Sequence, residues 1–321
     1  MALARSALTR YALDGARVEF LSNSDNLVFR VYAGGAEGVE ASKFALRVYR
    51  PLRFSRREIE DELRWVAALG YEAHLPVPVP VRGVDGHLVQ SASVDGLPGR
   101  RQCALFHWVE GEFLTESLLP EHLEAVGLLM ARLHDEGTRL AHTYNLRRTR
   151  RLSHAYLLRL NDAPRRAALV PDVDEFDLLV KAARLAGARL DDAEQEGLEI
   201  GLLHADLHQR NYLFAPGGVG AIDFCECCWG AYLHDIAITL SDLYIDKQFG
   251  ELPELHEAFL SGYRRVRPLP LGYERHMETF LLARTLQVLE WIFRWPSPTH
   301  HAWGASYLRK AFRYIERCQI T

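Results

Sequence analysis

The chain has 321 residues, 48% of them hydrophobic, 25% charged and 10% aromatic. That is enough apolar material for a sizeable core, which excludes a disordered or fibrous chain, and the length allows about one to three domains. With 38 Lys and Arg against 42 Asp and Glu, the net charge is -4, so the basic excess of a nucleic-acid-binding protein is missing. Five cysteines are odd in number and sparse, which points to a reducing, cytoplasmic setting rather than a disulfide framework. No uncharged apolar run approaches the ~20 residues of a membrane helix. Neither nucleic acid nor a membrane is therefore expected as the main partner.

Residues 1–13 carry Arg5 and Arg10 without an apolar block of the signal-peptide kind, and are expected to form a short surface helix. Val18 to Leu21 is short and apolar. Leu27, Phe29 and Val31 alternate with Val28, Arg30 and Tyr32, and Phe44, Leu46 and Val48 alternate with Ala45, Arg47 and Tyr49. Both stretches have the period of a strand. A connection holding Gly34, Gly35 and Gly38 lies between them. The second strand puts Arg47 on the face opposite the large aliphatic residues.

Ser55 and Glu58 have the spacing of a capping box, so a helix is expected to start there. Ile59, Leu63, Val66 and Leu69 make its buried stripe. Glu62 falls on the same stripe, and a carboxylate there needs a partner. Residues 75–81 read as a proline-rich connector, and 87–91 and 104–109 as further strands.

Glu110-Gly111 reads as a hinge. Helices are expected over 120–134, 251–263, 273–295 and 307–318, the third stopped by Pro296. Residues 145–151 and 165–166 are basic and show no clear period; Arg147 to Arg151 is either a solvated loop or a patch that steers an anion. Strands with one helix, then a helical half with a strand-rich insert at 202–224, give an α+β, two-lobed arrangement. The expected division is 1–109 and 110–321.

The insert carries the chemistry. His204-Ala205-Asp206-Leu207-His208-Gln209-Arg210-Asn211 fits H-x-D-x-x-x-x-N, and Ile222-Asp223-Phe224 follows a short strand. Two strands joined at Pro216-Gly217-Gly218 would bring Asn211 and Asp223 together. An amide oxygen beside a carboxylate is a hard-oxygen site of the kind Mg2+ takes. Asp206, on the loop, is suited to orient an incoming hydroxyl and accept its proton. A metal clamp, a cation on the phosphates and a positioning base are the minimal equipment of phosphoryl transfer.

Segment 202–236 resembles the aminoglycoside phosphotransferase family, the branch of the protein-kinase-like fold that includes choline and homoserine kinases. The likeness extends over most of the chain. Phe44-Ala45-Leu46-Arg47-Val48-Tyr49 resembles the third strand of the N-lobe, Leu128 to His134 the helix before the catalytic loop, and Gly230-Ala231-Tyr232-Leu233-His234-Asp235 the string after the metal acid. The resemblance implies a bilobal protein-kinase-like fold, with a small β-rich N-lobe carrying one main helix and a larger, mainly helical C-lobe. It implies ATP and Mg2+ as cofactors, and transfer of the γ-phosphate to a hydroxyl of an aminoglycoside, amino alcohol, hydroxy amino acid or sugar. Asp206 would be the base, with Asn211 and Asp223 holding Mg2+. Arg47, positioned by Glu62, would grip the nucleotide phosphates. Ser24 and Asn26, in the turn that replaces a glycine-rich loop, would lie over the nucleotide, as would His107 and Val109 at the hinge. His208 would touch the transferring phosphate or pack beside the base. His204 and Asp235 would brace the loop, and Glu226 would face the acceptor.

Two departures matter. Cys225 follows Asp223-Phe224 where protein kinases have glycine, and Gly230 comes too soon for a long activation segment. Both favour a small acceptor. A protein Ser/Thr kinase and a nucleotide-binding module without turnover are the alternatives. Cys225, Cys227 and Cys228 with His204 and His208 also raise zinc, although Cys-x-Cys-Cys lacks the usual paired knuckle; small packing side chains are the other reading. Trp291, Trp295 and Trp303 are either core or acceptor lining.

Overall fold

The computed structural model describes residues 1–23, 26–34, 42–114, 118–144, 152–162, 169–170, 172–246, 252–294 and 298–318. The chain forms two compact units. The first is Met1–Glu112 with Arg139–Arg148 and Ala215–Cys225; the second is Phe113–Thr138, Thr149–Phe214 and Glu226–Thr321. Ser24, Trp295, residues 147–151 and residues 165–166 lie outside the described residues.

In the first unit the alternating sequences form strands β1 (Arg17–Asn23), β2 (Leu27–Ala33) and β3 (Ser42–Val48), followed by helix α2 (Arg56–Tyr71) and strands β4 (Pro80–Val81), β5 (Gln90–Ala92) and β6 (Arg101–His107). They make one antiparallel sheet in the order β1-β2-β3-β6-β4, with β5 also on β6. In the register Arg47 faces Val28 on one side and Ala104 on the other.

The period-two pattern sends alternate residues to opposite faces. Phe29, Val31, Leu46, Val48, Cys103 and Leu105 pack on one face. Tyr49, Ala104 and Phe106 pack on the other with Ile59 and Leu63 of α2. The N-terminal helix α1 (Ala2–Leu8) covers the first face, burying Ala4, Ala7 and Leu8 completely or nearly so. It is a core element rather than the surface helix expected from its arginines; the small alanines let it sit close to the sheet.

Helix α2 starts as the sequence predicts. The Glu58 N–H donates to Ser55 Oγ at 3.2 Å, and the Ser55 N–H donates to Glu58 Oε2 at 2.7 Å. Ile59, Glu62, Leu63, Val66 and Leu69 are all buried. At the end of the unit's first stretch Gly111 takes φ 142°, a backbone region that favours glycine.

The second unit is mainly helical: α3 (Pro120–Tyr144), of which residues 139–144 are assigned to the first unit, α4 (His154–Leu158), α5 (Val173–Glu196), α6 (Tyr232–Asp246), α7 (Leu252–Arg264), α8 (Tyr273–Arg294) and α9 (Pro298–Arg317). Helix α8 packs against both α5 and α6. Strands β7 (Ile200–Leu203) and β10 (Cys228–Ala231) form an antiparallel pair beneath the loop 204–211. Strand β8 (Tyr212–Ala215) leads to the Pro216-Gly217 turn and β9 (Gly218–Ala221), both of which belong to the first unit. Among the described residues no helix is long and apolar enough to cross a membrane.

Candidate functional site

The first unit presents a cation held between two acids. Strand β3 points Arg47 to the face covered by α2, where the helix stripe offers Glu62. Arg47 Nη1 donates to Glu62 Oε1 at 2.6 Å and Nη2 to Asp223 Oδ1 at 2.9 Å. The Tyr49 hydroxyl donates to Glu62 Oε2 at 3.3 Å. The Arg47 side chain is 9% exposed and that of Glu62 1%, whereas that of Asp223 is 42% exposed. Burial opposes the guanidinium charge, but Asp223 and then Glu62 outweigh it and hold Arg47 firmly protonated. Asp223 sits at φ 62°, in the left-handed region that a non-glycine residue enters at a cost.

Around this pair the other nucleotide-site expectations have specific local roles. Asn26 is buried, and its Oδ1 accepts the Arg50 N–H at 3.1 Å. Its side chain thus pins the end of β3. The His107 N–H donates to the Val79 carbonyl at 2.9 Å, and the imidazole packs on Phe44. Val109 stands beside Gly220, where an added Cβ would come within 3.1 Å of Val109 Cγ1.

In the second unit the loop 204–211 is clamped from below. Asp235, fully buried near the start of α6, accepts the N–H groups of His204 at 2.8 Å and Ala205 at 2.6 Å. His134 Nε2 lies 3.1 Å from Asp235 Oδ2, and His134 Nδ1 is 2.8 Å from the Tyr263 hydroxyl. Burial alone would raise the Asp235 pKa, but its hydrogen bond from His134 holds it below the usual range. His204 is also fully buried, and its Nδ1 accepts the Asp206 N–H at 3.3 Å. Ala205 takes φ 63°. The loop therefore bends at a strained residue whose amide is secured by a carboxylate.

That bend presents Asp206, with its side chain 28% exposed. Arg284 Nη2 donates to Asp206 Oδ1 at 3.0 Å. The second oxygen receives Asn211 Nδ2 at 3.2 Å and faces His208 Nε2 at 3.5 Å. Burial would raise the Asp206 pKa, but His208 first and Arg284 after it hold the carboxyl well below the ordinary range. Burial lowers the His208 pKa, and Asp206 more than offsets it, so the imidazole is shifted upward. His208 Nδ1 accepts the Arg210 N–H at 3.1 Å, which leaves Nε2 to face Asp206.

Asn211 also donates Nδ2 to the Asp206 carbonyl at 2.8 Å. With its NH2 turned inward, its Oδ1 remains an acceptor, the hard oxygen a divalent cation takes. The Asp223 carboxylate is the same kind of donor. Each side chain, taken by itself, fits a magnesium-type ion in chemistry. Zinc fits poorly: among the described residues no group of three or more His, Cys, Asp or Glu is placed to hold a metal ion, and Cys225, Cys227 and Cys228 are buried packing residues.

Sequence reasoning did not find Arg284. It lies in the middle of α8, 78 residues from Asp206, with no motif around it. Beyond it the same helix places Glu290, which is 3% exposed. Glu290 is paired with Arg294 at 2.5 Å and Arg159 at 3.4 Å, and its Oε2 is 3.4 Å from the Tyr156 hydroxyl. Burial, then Glu290, pushes the Tyr156 phenol up to about 12, and the Glu226 charge acts on it in the same sense. Trp291 and Trp303 meet edge to face between α8 and α9, with ring centroids 6.2 Å apart.

Comparisons with known proteins agree in kind. Residues 17–269 match the model of the family described as "Phosphotransferase enzyme family". A homoserine kinase of Sinorhizobium fredii (strain NBRC 101917 / NGR234) is 31% identical over 261 residues, covering 78% of this chain and 74% of that protein. Among solved structures, the microcompartment-associated aminopropanol kinase superposes with a TM-score of 0.75 at 28% identity, covering 98% of this chain and 96% of the other. Amicoumacin kinase, solved in complex with AMP-PNP, Ca2+ and Ami, gives a TM-score of 0.74 at 21% identity, over 97% and 92% of the two chains. The fold is the protein-kinase-like one, with an antiparallel sheet and its helix in one unit and helices dominating the other.

Proposed function

Because the chain belongs to the phosphotransferase enzyme family, we propose that it transfers the γ-phosphoryl group of ATP to a hydroxyl of a small molecule, with Mg2+ as cofactor. The observation that carries this reading is the state of Asp206: a partly exposed carboxylate on a loop fixed by Asp235, ionised and oriented by Arg284, His208 and Asn211. In this reading residues 1–109 cover the nucleotide and 110–321 supply the loop and the acceptor pocket. A reaction that draws on ATP also suits the cytoplasmic setting read from the cysteines.

Asp206 aligns the acceptor hydroxyl and takes its proton as the new O–P bond forms and the γ-phosphorus separates from its bridging oxygen, which leaves with ADP. Arg47 turns its Asp223-facing edge to the phosphates, while Glu62 keeps the guanidinium in place. Asn211 and Asp223 are the residues that would hold the metal through their side-chain oxygens, and it would supply charge to offset the phosphates. His204 and Asp235 brace the loop. Most of the rate gain comes from positioning and electrostatics. Between Asp223 and α6 there is only the short turn Phe224–Glu226 and β10. That leaves no room for a long activation segment and supports a small acceptor over a protein one.

The test is ADP release from ATP across a panel of hydroxyl metabolites, with and without Mg2+. Asp206→Asn and Asp223→Asn are each expected to lower kcat by about 100-fold or more while the protein stays folded. Chelation should stop turnover, and added Mg2+ should restore it. Wild-type rates in Asp206→Asn would refute the assignment.

A further inference from the structure

Helix α6 holds the loop 204–211 at more places than Asp235. Thr239 is 1% exposed, and its hydroxyl donates to the Leu207 carbonyl at 2.5 Å. Asp242 Oδ2 accepts the Gln209 N–H at 2.8 Å. Asp235, Thr239 and Asp242 stand at i, i+4 and i+7, so they share one face of the helix. Along that face the helix offers an acceptor, a donor and an acceptor. The loop meets them in the same order with the N–H groups of His204 and Ala205, the Leu207 carbonyl and the Gln209 N–H. Shifting the loop by one residue would break the match and strand buried polar groups, which is costly.

We propose that Thr239 and Asp242 are positioning residues for the transfer, and that this face of α6 holds Asp206 and Asn211 at the separation and angle the reaction needs. Asp206 lies between the Ala205 amide and the Leu207 carbonyl, both tied to α6. Gln209, tied by Asp242, lies between Asp206 and Asn211. The Asn211 N–H donates to the His208 carbonyl at 2.8 Å, and Asn211 Nδ2 reaches both the Asp206 carbonyl and Asp206 Oδ2. The Asp206 carboxylate therefore takes its direction from both ends of the loop. The bonds from Thr239 and Asp242 are to loop backbone, so these residues act through Asp206 and Asn211. A displacement of about 1 Å at a reacting group costs on the order of 100-fold in rate. The inference rests on the phosphotransferase reading above and adds to it two residues outside the motif.

Two measurements on paired variants test it: kcat per folded molecule from ADP release, and hydrogen exchange of the loop amides. Thr239→Val removes the hydroxyl and keeps the shape, whereas Thr239→Ser keeps the hydroxyl. Asp242→Ala removes the acceptor, whereas Asp242→Asn keeps one oxygen. Ser241→Ala is the control, since Ser241 is 4% exposed on the same helix and its hydroxyl donates to the Ile238 carbonyl at 2.8 Å, within α6. Thr239→Val and Asp242→Ala are each expected to lower kcat by about 10- to 100-fold. In Thr239→Val the KM for ATP should stay within about threefold of the wild type, because the loss falls on the chemical step. Thr239→Ser and Asp242→Asn should recover most of the loss, and Ser241→Ala should keep the wild-type kcat. The amides of His208 and Asn211 should exchange faster in Thr239→Val, and that of Gln209 in Asp242→Ala. If Asp242→Ala does not fold, the more conservative Thr239→Val decides alone. Wild-type kcat and exchange in folded Thr239→Val overturn the inference and leave the phosphotransferase reading standing. An equal loss of kcat in Ser241→Ala also overturns it, because any disturbance of α6 would then suffice. Failure of the wild type to release ADP with every acceptor in the hydroxyl panel removes the phosphotransferase reading and this inference together.

Discussion

Arg47 Nη2 lies 2.9 Å from Asp223 Oδ1 across 176 residues of sequence. The same guanidinium is 2.6 Å from Glu62, but its two acids are not equivalent. Glu62 is shut away with the Tyr49 hydroxyl, while the Asp223 side chain is 42% exposed. Removing Glu62 leaves a buried guanidinium short of a partner, so Glu62→Ala should destabilise the protein by roughly 3 kcal/mol or more. Asp223→Asn breaks a half-exposed pair and should cost less than about 1 kcal/mol, although it is expected to lower kcat by about 100-fold or more. Urea denaturation of the two variants checks this; equal stability losses would contradict the division of roles.

The second relationship concerns the loop. Asp235 accepts two consecutive amides, from His204 and Ala205, and faces His134 Nε2, all in a fully buried place. Ala205 holds its φ of 63° against this clamp. Asp235→Ala strands those donors without water, so a loss of roughly 3 kcal/mol is expected together with lost turnover, at a residue proposed only to brace the loop. Asp235→Asn keeps one carbonyl oxygen and should retain part of both. A melting temperature and kcat like those of the wild type in Asp235→Ala would remove the clamp from the account.

What the sequence made legible follows from where its signals are local. H-x-D-x-x-x-x-N is one continuous stretch, so Asp206 and Asn211 could be named, and their side chains do meet. A capping box and a stripe fixed α2 and placed Glu62 toward a partner that strand alternation put on β3. The rest failed for physical reasons. Helix α5 was missed because its buried stripe leans on Ala182, Ala183, Ala186 and Ala193, small residues that give a weak apolar period. Helix α6 buries Ile236, Ala237, Ile238, Leu240 and Leu243, so it is apolar nearly all round and shows no amphipathic stripe. Arg284 acts through a tertiary contact, and nothing in its own helix marks it. Asn26 could be picked out as a turn residue, but that its amide would cap Arg50 could not.

Two glycines set how closely α3 and α7 approach. A Cβ on Gly127 would collide with the Phe259 carbonyl oxygen, and one on Gly262 with the Glu124 carbonyl oxygen. Both obstacles are backbone and cannot rotate away. Alanine normally improves a helix interior by about 0.5–1 kcal/mol over glycine. Here Gly127→Ala and Gly262→Ala should each destabilise by about 1–3 kcal/mol, as overpacking does. Thermal unfolding of both variants decides the sign, and stabilisation by either would mean that the helices are free to part.

His234 gives the fold a dependence on acid. It is 4% exposed, and burial carries its pKa from 6.5 to about 4, with Arg284 adding to the effect and Asp235 opposing it. The unfolded chain binds a proton on this residue near 6.5, the folded chain only near 4. Between those values the unfolded state holds more protons, so folding stability rises with pH across the window. The contribution is complete above about pH 6.5 and is lost as pH falls toward 4, by an amount on the order of 3 kcal/mol. His134, fully buried, shifts in the same direction and steepens the loss. His208 is raised and acts oppositely: its contribution is present below 6.5 and fades as pH rises through its folded value. Asp206 and Asp235 are lowered, so their contributions hold above the ordinary carboxylate value and weaken only in stronger acid. His234→Gln keeps an uncharged hydrogen-bonding group beside Gln287 and removes the titration. Its urea midpoint should lie at or below that of the wild type at pH 7.5 and overtake it by pH 5. Parallel pH profiles for the two proteins would show that His234 is not the group being titrated.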